Sequence, residues 1–427
     1  LQALRTKIVR ILVIGNGGRE AALAWKLSQS EGLEKLFCAP GNPGTSSIAE
    51  NVPLEPCDIE GLLAFAMKHG IDLTVVGPEK PLSMSIVDRF RGMGLAVFGP
   101  TRDCARLETS KIFAKRFMNL HGIPTARHAS ARYYLQALAE LENFELPLVI
   151  KADGLAAGKG VFIAERLEEA HQILRDLLIE DSLKEAGSRA VIEEFLNGRE
   201  LSVFVLSDGK RVVELAEARD FKKAFDGDLG PNTGGMGAIS PVPDYTERLR
   251  EEFRSNILRP TVEGLTKEGL SYTGLLYFGL INTPAGLKVL EFNCRFGDPE
   301  TQAIMPRIDF DLARVLYDCA KGQLKEERLR LKRECAVTVV ACSQGYPGRY
   351  MTGCEVSGLS ESDCILFQAG TGCSEEKIVT TGGRVLAVTG LESDFYRAKR
   401  KAYGALERIR FKGMTFRKDI GVEFDVN

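Results

Sequence analysis

Residues 289–300 have the sequence Val-Leu-Glu-Phe-Asn-Cys-Arg-Phe-Gly-Asp-Pro-Glu and are the most informative stretch of this chain. The segment from 289 to 292 is typical of a strand, in which successive side chains point to opposite faces, so Glu291 and Asn293 share a face. A carboxylate and an amide oxygen that project together suit a hard cation such as Mg²⁺, which prefers oxygen ligands and shares its shell with phosphates. The alternative is a polar strand end followed by ordinary turn residues. Because five functional side chains fall within ten residues, we predict a metal–nucleotide site with Glu291 and Asn293 as metal ligands.

The composition limits the class of protein around this stretch. The chain has 427 residues, 44% of them hydrophobic, which is enough for two to four domains with cores of their own. The net charge of −2 gives no reason to expect a nucleic-acid partner or a membrane surface. No apolar run reaches the roughly 20 residues that a membrane span needs. Ten cysteines without a Cys-x-x-Cys pair argue against structural zinc and suit free thiols, so we expect a cytoplasmic protein.

The first hundred residues alternate between strand and helix patterns. Strands are expected at 7–14, 35–39, 72–76 and 96–99, with helices at 21–28 and 59–69 between them. This alternation predicts a parallel sheet covered by helices, with ligands at the carboxyl ends of its strands. Three polar loops follow strands there, at residues 15–20, 41–45 and 77–79.

The first of these loops, Gly15-Asn16-Gly17-Gly18-Arg19-Glu20, differs from a dinucleotide fingerprint. Glu20 stands at the third glycine position, and no acidic residue ends the second strand. Backbone N–H groups at a helix N-terminus beside Arg19 suit a phosphate. A tight turn that uses glycine only for its geometry is the alternative. Because similar loops follow at Gly41 and Gly77, we predict a phosphorylated-sugar site.

A second glycine-rich segment follows an expected strand at 148–151. It has the sequence Asp153-Gly-Leu-Ala-Ala-Gly-Lys-Gly-Val161, and Gly160 rather than Ser or Thr follows Lys159, so it is not a Walker A loop. A strand is expected after it, at 161–164, and a hairpin of this kind can cover phosphates as a lid. A mobile hairpin tip without a ligand is the alternative.

The order of these features resembles the ATP-grasp superfamily. That order is a helix lysine (Lys111), a strand lysine (Lys151), the glycine hairpin, the Glu-Glu strand at 190–196, Gly-x-Glu ending at Glu200, and the strand of Glu291. Segments 75–82, 230–238, 290–300 and 382–388 further resemble the phosphoribosylamine–glycine ligase family. The resemblance covers essentially the whole chain except Leu1–Thr6.

The resemblance implies a fold class of α/β and α+β with three domains. Residues 1–105 would form an N-terminal parallel α/β domain that binds phosphoribosylamine. Residues 106–331 would form the ATP-grasp domain, with a mobile lid subdomain at about 124–193. Residues 332–427 would form a small β-rich C-terminal domain that packs over the ATP domain as scaffold.

The resemblance also implies a role for each matching residue. ATP would be held by Lys111, Lys151, Gly154, Gly158, Gly160, Glu193, Glu194, Phe195, Leu196 and Glu200. Phosphoribosylamine and the acceptor pocket would involve Asn16, Gly17, Gly18, Arg19, Glu20, Gly41, Asn42, Gly44, Gly77, Pro78, Glu79, Gly297 and Asp298. The catalytic residues would be Lys159, Asp220, Lys222 and Arg295, with Arg295 as a bidentate partner for the glycine carboxylate.

The implied reaction needs no protein nucleophile. The glycine carboxylate would attack the γ-phosphate of ATP, and the amine of phosphoribosylamine would then attack the resulting acyl phosphate. ATP as co-substrate and Mg²⁺ or Mn²⁺ as metal are therefore expected, with the metal and the lysines stabilising the transferring charge. The expected partners are these small molecules alone, and we expect a monomer.

Two positions depart from the family pattern, since Ala21 and Phe221 stand where relatives carry histidine. The conservative interpretation is an altered affinity or pH dependence with the same reaction, and the alternative is a changed acceptor. A different ATP-grasp ligase of purine synthesis, such as an aminoimidazole ribonucleotide carboxylase subunit, is a competing hypothesis. A nucleotide-binding sensor without activity is another.

Overall fold

The N-terminal region forms a five-stranded parallel sheet. The structure, a computed structural model, describes residues 8–155, 160–180, 189–361 and 364–424. The strands run in the order β3-β2-β1-β4-β5. They are β1 (Arg10–Gly15), β2 (Lys35–Pro40), β3 (Glu50–Asn51), β4 (Leu73–Val76) and β5 (Val97–Phe98). The helices around them are α1 (Gly18–Leu27), α2 (Ile59–His69), α3 (Glu79–Ser83), α4 (Ile86–Gly92) and α5 (Arg102–Thr109). The predicted parallel sheet is confirmed.

Local sequence explains the limits of these elements. The side chain of Asp58 accepts from the N–H of Gly61 and caps α2, which ends at Gly70 in the left-handed conformation at φ 60°. The apolar strand β1 stops at Gly15, whose φ of 123° favours glycine and turns the chain into α1.

A four-stranded antiparallel sheet with two helices follows, in the strand order β6-β9-β7-β8. It is preceded by α6 (Lys111–Leu120), whose cap Ser110 accepts from the N–H of Phe113. Its elements are β6 (His128–Ala131), α7 (Tyr134–Leu141), β7 (Leu148–Ala152), β8 (Val161–Ala164), α8 (Leu167–Leu178) and β9 (Ala190–Glu194). We call this unit the lid sheet. The hairpin residues Gly158 and Lys159 lie outside the described residues.

The central and C-terminal regions share one eight-stranded antiparallel sheet, in the order β16-β15-β10-β11-β14-β17-β21-β18. The central elements are β10 (Arg199–Asp208), β11 (Val212–Asp220), β12 (Lys223–Phe225), β13 (Leu229–Asn232), β14 (Gly237–Ser240), α9 (Glu247–Phe253), α10 (Arg259–Lys267), β15 (Thr273–Thr283), β16 (Gly286–Asn293), α11 (Glu300–Ile304) and α12 (Leu312–Ala320). The C-terminal elements are β17 (Cys335–Cys342), β18 (Ile365–Gln368), β19 (Thr371–Ser374), β20 (Lys377–Thr380), β21 (Arg384–Glu392) and α13 (Phe395–Leu406). The small β-rich C-terminal domain is thus present, and β17 joins it to the central sheet by pairing with β14.

The hydrophobic core connects these regions. One cluster contains Ile11 and Leu23 of the N-terminal domain together with Phe204 of β10 and Leu316 of α12, all of them fully buried. The parallel sheet and α1 are therefore packed against the central sheet and α12. Within the described ranges, no helix is long and apolar enough to cross a membrane.

Candidate functional site

A cleft of about 340 Å³ lies between the lid sheet, α6 and the central sheet. Side chains or loops from all three regions of the chain line it. The predicted residues that it brings together are Arg19, Glu79, Lys111, Lys151, Gly154, Gly160, Glu193, Asp220, Lys222, Glu291, Asn293, Arg295 and Asp298.

The strand β16 places Glu291 and Asn293 on one side of this cleft. Burial opposes ionisation, yet the neighbouring lysines hold the pKa of the Glu291 carboxyl below its ordinary value. The amide oxygen of Asn293 accepts from Arg295 Nη2 at 3.1 Å. Among the described residues, no group of three or more His, Cys, Asp or Glu side chains is arranged for a metal. The carboxylate of Glu291 and the amide oxygen of Asn293 are ligand types that suit a hard cation, which commonly completes its shell with phosphate oxygens.

Two predicted lysines face this pair from different elements. Lys111 begins α6, and its Nζ donates to the carbonyl of Gly154 at 3.1 Å. Burial lowers the pKa of Lys111, while nearby Glu291 raises it. Lys151 on β7 donates to the carbonyl of Leu290 at 3.3 Å. These cations lie where a triphosphate beside Glu291 would need them.

The side chain of Glu193 lies in a buried network of ion pairs at the wall of the cleft. Its Oε2 pairs with Lys115 at 2.9 Å and with Lys151 at 3.0 Å, and all three side chains are buried. Lys115 was missed by sequence reasoning, and burial lowers its pKa to about 8. It lies four residues after Lys111, so the two share a helix face, and that spacing could have indicated it.

The remaining residues predicted to bind ATP lie at the end of the lid sheet or beyond it. Glu194 pairs with Lys288 at 3.0 Å and also accepts from the backbone N–H of Arg127. Phe195 and Leu196 follow the end of β9. The lining of the central cleft does not include Glu194, Phe195, Leu196 or Glu200. Glu200 Oε2 lies 2.6 Å from Lys222 Nζ.

The end of the cleft that contains Asp220, Lys222 and Arg295 carries strongly shifted titratable groups. Burial raises the pKa of Asp220 to about 7, against the lowering effect of nearby Lys222. Burial opposes the charge of Lys222, but Asp220 and Glu200 raise its pKa well above the ordinary value. Arg295 is held by Glu108 at 2.8 Å and Glu79 at 3.4 Å. The contact with Glu79 is made by the buried Nε of Arg295 and is longer than an ordinary hydrogen bond.

Hydrogen bonds within the first loop, residues 15–20, hold its conformation. Glu20 Oε2 accepts from the N–H of Gly17 at 2.7 Å, and its Oε1 lies 2.5 Å from Arg19 Nε. The Glu20 carboxylate also lies against Gly77, where a Cβ would fall 2.1 Å from Oε1. A larger residue at Gly77 would therefore displace this carboxylate.

Asn42 fixes the second loop. Its amide nitrogen donates to the carbonyls of Asn16 and Gln368, both at 2.8 Å, and its oxygen accepts from the N–H groups of Gly44 and Thr45. Asn42 therefore holds the first two loops and β18 together. Gly41 donates to the carbonyl of Gly15, and Pro78 precedes α3.

Several residues of the cleft were not expected from the sequence. Arg384 at the start of β21 pairs with Asp298 at 3.1 Å, although no functional cluster was expected in the C-terminal domain. Tyr277 donates to Glu300 at 2.7 Å, and the carboxylate of Glu108 accepts from the N–H of Cys294 at 2.7 Å. These contacts join residues far apart in the chain, which no local pattern indicates.

The two positions that depart from the family pattern lie outside the cleft lining. Ala21 is buried in the core of the N-terminal domain. Phe221 is buried among residues of β14, β17 and β21, and its ring lies 5.2 Å from the guanidinium of Arg417. Since Asp220 and Lys222 flank Phe221 in extended chain and line the cleft, Phe221 points away from it. The altered affinity or pH dependence expected from this position stays a prediction.

Comparison with known proteins gives the same family for all three regions. Models described as the N, ATP-grasp (A) and C domains of phosphoribosylglycinamide synthetase match residues 9–108, 109–301 and 336–423. A phosphoribosylamine–glycine ligase from Ralstonia nicotianae is 48% identical over 97% of this chain and 99% of its own length. The crystal structure of a phosphoribosylamine–glycine ligase from Thermotoga maritima is 37% identical, covers 96% of this chain and 100% of its own, and has a TM-score of 0.86. An N5-carboxyaminoimidazole ribonucleotide synthetase from Thermotoga maritima has a TM-score of 0.64 at 18% identity over 94% of this chain and 99% of its own, which shows a shared fold alone.

Proposed function

Because the chain belongs to the phosphoribosylglycinamide synthetase family, we propose that its central cleft activates glycine with ATP and passes it to phosphoribosylamine. The protein is a ligase that forms a C–N bond in purine biosynthesis. It joins glycine to 5-phosphoribosylamine and gives glycinamide ribonucleotide, ADP and phosphate.

The observation that carries the assignment of the cleft is the convergence of Glu291 and Asn293 with Lys111 and Lys151. The two oxygen ligands fit a divalent cation, and we propose Mg²⁺ or Mn²⁺. When bound, this metal would neutralise phosphate charge. The lysines add positive charge from two other elements, so the site balances an anionic nucleotide before the reaction begins.

The acceptor end of the cleft suits an amino acid. Lys222 carries a stabilised positive charge, and the Asp220 carboxyl has a pKa of about 7 because of its burial. We propose that the Asp220 carboxylate binds the glycine ammonium group and that Lys222 orients the carboxylate toward the transferred phosphate. Arg295 stays a candidate for the glycine carboxylate, although Glu108 and Glu79 already hold its guanidinium.

The described residues at the two ends of the predicted hairpin, Gly154 and Gly160, support a closing role. Lys111 contacts Gly154, and Gly160 lines the cleft beside Val161. Exclusion of water there would protect an acyl phosphate from hydrolysis. Lys159 and Gly158 remain proposed members of this cover, and the proposed domain limits, the monomeric state and a cytoplasmic location also stay predictions.

The experiment that tests this function measures ADP formation with each substrate omitted in turn. We expect ADP only when glycine, phosphoribosylamine and ATP are all present. Bicarbonate in place of glycine tests the competing carboxylase, and activity with bicarbonate but not glycine would overturn the assignment. ATP binding without ADP formation in the complete mixture would favour the sensor.

A further inference from the structure

The short hairpin β12–β13 joins two parts of the wall of the central cleft. It begins directly after Lys222 and ends directly before Thr233, and both of these residues line the cleft. The N–H and the hydroxyl of Thr233 both donate to the carbonyl of Lys222 at 2.8 Å. The base of the hairpin is therefore part of the wall at which glycine is proposed to bind.

The hairpin buries few apolar side chains of its own. Phe225 and Leu229 are 59% and 65% exposed. The hairpin also borders an open space of about 1160 Å³, which separates it from β8 of the lid sheet. Because a two-stranded hairpin is marginally stable by itself in water, contacts from elsewhere in the chain must hold its conformation.

A segment of the C-terminal domain, residues 417–419, supplies these contacts, and we call it the anchor segment. Each of its three residues bonds to the turn of the hairpin, residues 226–228. The contacts join Arg417 Nη1 to Asp228 Oδ1 at 2.7 Å, the N–H of Lys418 to Asp226 Oδ1 at 2.7 Å, and Asp419 Oδ2 to the N–H of Gly227 at 2.8 Å.

Arg417 extends the anchor from the turn to the base of the hairpin. Its side chain is buried, and its guanidinium pairs with both carboxylate oxygens of Asp419 at 2.7 Å. Such a two-bond arrangement fixes the plane of the guanidinium. Its Nη1 also donates to the carbonyl of Lys223 at 3.2 Å. The C-terminal domain is therefore bonded to the residue that directly follows Lys222.

We propose that Arg417 is a positioning residue for the glycine end of the central cleft. Among the described residues, the cleft lining does not include Arg417, so it acts through the hairpin and holds Lys222 against Thr233. A displacement of about 1 Å at a group that orients a substrate is enough to impair binding or turnover. This inference rests on the proposed function and gives the C-terminal domain a part beyond scaffold.

The first test compares Arg417→Met with Arg307→Met. Arg307 is also buried and makes three hydrogen bonds, but its partners are Ser240, Lys332 and Glu334, which lie outside the hairpin and the cleft lining. Both variants should show a lower Tm. Arg417→Met should raise the KM for glycine about tenfold and leave the KM for ATP within about twofold of the wild type. Arg307→Met should leave both KM values within about twofold.

A milder pair of variants disturbs the hairpin with less risk to folding. Asp228→Asn removes the charge that faces Arg417, at an exposed turn position with φ 55°, which asparagine tolerates. Its control, Glu376→Gln, removes a charge at φ 66° in the turn of the other hairpin, β19–β20. Asp228→Asn should raise the KM for glycine about threefold and speed the amide hydrogen exchange of Thr233. Glu376→Gln should do neither.

A KM for glycine equal to that of the wild type in Arg417→Met and Asp228→Asn would overturn the proposal. A parallel rise in the KM values for glycine and ATP would also overturn it, because a general loss of structure affects both sites. If Arg417→Met does not fold, the KM and the amide exchange of Asp228→Asn decide. Absence of glycine-dependent ADP formation in the wild type would instead defeat the proposed function, whereas an unchanged KM in the variants defeats only the role of Arg417.

Discussion

Replacing Glu193 by glutamine tests the buried charge network behind the nucleotide site. Its Oε2 holds two ammonium groups, and the side chains of Lys115, Lys151 and Glu193 are at most 8% exposed. Removal of one partner from a buried ion pair costs about 3–5 kcal/mol, because the remaining charge is left in a poorly solvated place. For a domain of about 200 residues, a loss of about 3 kcal/mol lowers Tm by roughly 7 °C.

The matched control is Glu194→Gln, the next residue on the same strand. Glu194 pairs with Lys288, but their side chains are 34% and 25% exposed. Partly exposed pairs of this kind contribute about 0–1 kcal/mol. We expect calorimetry to show a far larger loss of stability for Glu193→Gln than for Glu194→Gln. Equal losses in the two variants would refute the reasoning.

The pH dependence provides an independent check. Burial already lowers the pKa of Lys115 to about 8 in the folded wild type, and loss of Glu193 should lower it further. Between the pKa of Lys115 in the folded variant and its pKa in the folded wild type, the folded variant binds fewer protons than the folded wild type. The free energy of unfolding of the variant therefore rises faster with pH. The difference in the free energy of unfolding between variant and wild type should therefore narrow as the pH rises toward about 8. A difference in the free energy of unfolding that does not narrow as the pH rises toward about 8 would contradict the role of Lys115.

Three further outcomes follow from the site. Glu291→Gln should lower kcat by at least about 100-fold at saturating Mg²⁺, while circular dichroism shows an intact fold. Turnover equal to that of the wild type would contradict the assignment of Glu291 as a metal ligand. Phe221→His should lower the free energy of unfolding by about 1–3 kcal/mol, because it places a polar ring against Arg417 and apolar side chains. The KM for glycine should stay unchanged. A changed preference for glycine would instead place Phe221 at the acceptor pocket. If Asp220 binds glycine as the carboxylate, kcat/KM for glycine should rise with pH through about 7. Asp220→Asn should abolish that rise. Identical pH profiles in the two proteins would exclude binding of the glycine ammonium group by Asp220.

Patterns local in sequence were predictable, and contacts between distant segments were not. The apolar runs and loop glycines predicted the parallel sheet, and alternation along β16 placed Glu291 and Asn293 on one face. The same alternation, applied to Asp220 and Lys222, would have placed Phe221 away from the cleft. The ion pairs of Glu193 with Lys115 and of Arg384 with Asp298 depend on tertiary packing. Side chains that lie more than 70 residues apart in the chain meet there, and single-sequence patterns carry no information on such pairs.

The measurement that tests the account most directly follows an oxygen atom. If the cleft phosphorylates the glycine carboxylate and the amine then displaces phosphate, one carboxylate oxygen must leave with the phosphate. Glycine labelled with ¹⁸O in its carboxylate is turned over with ATP and phosphoribosylamine, and the inorganic phosphate is analysed by mass spectrometry. The account predicts one ¹⁸O atom in each phosphate formed. Phosphate without label, formed together with glycinamide ribonucleotide, would contradict it.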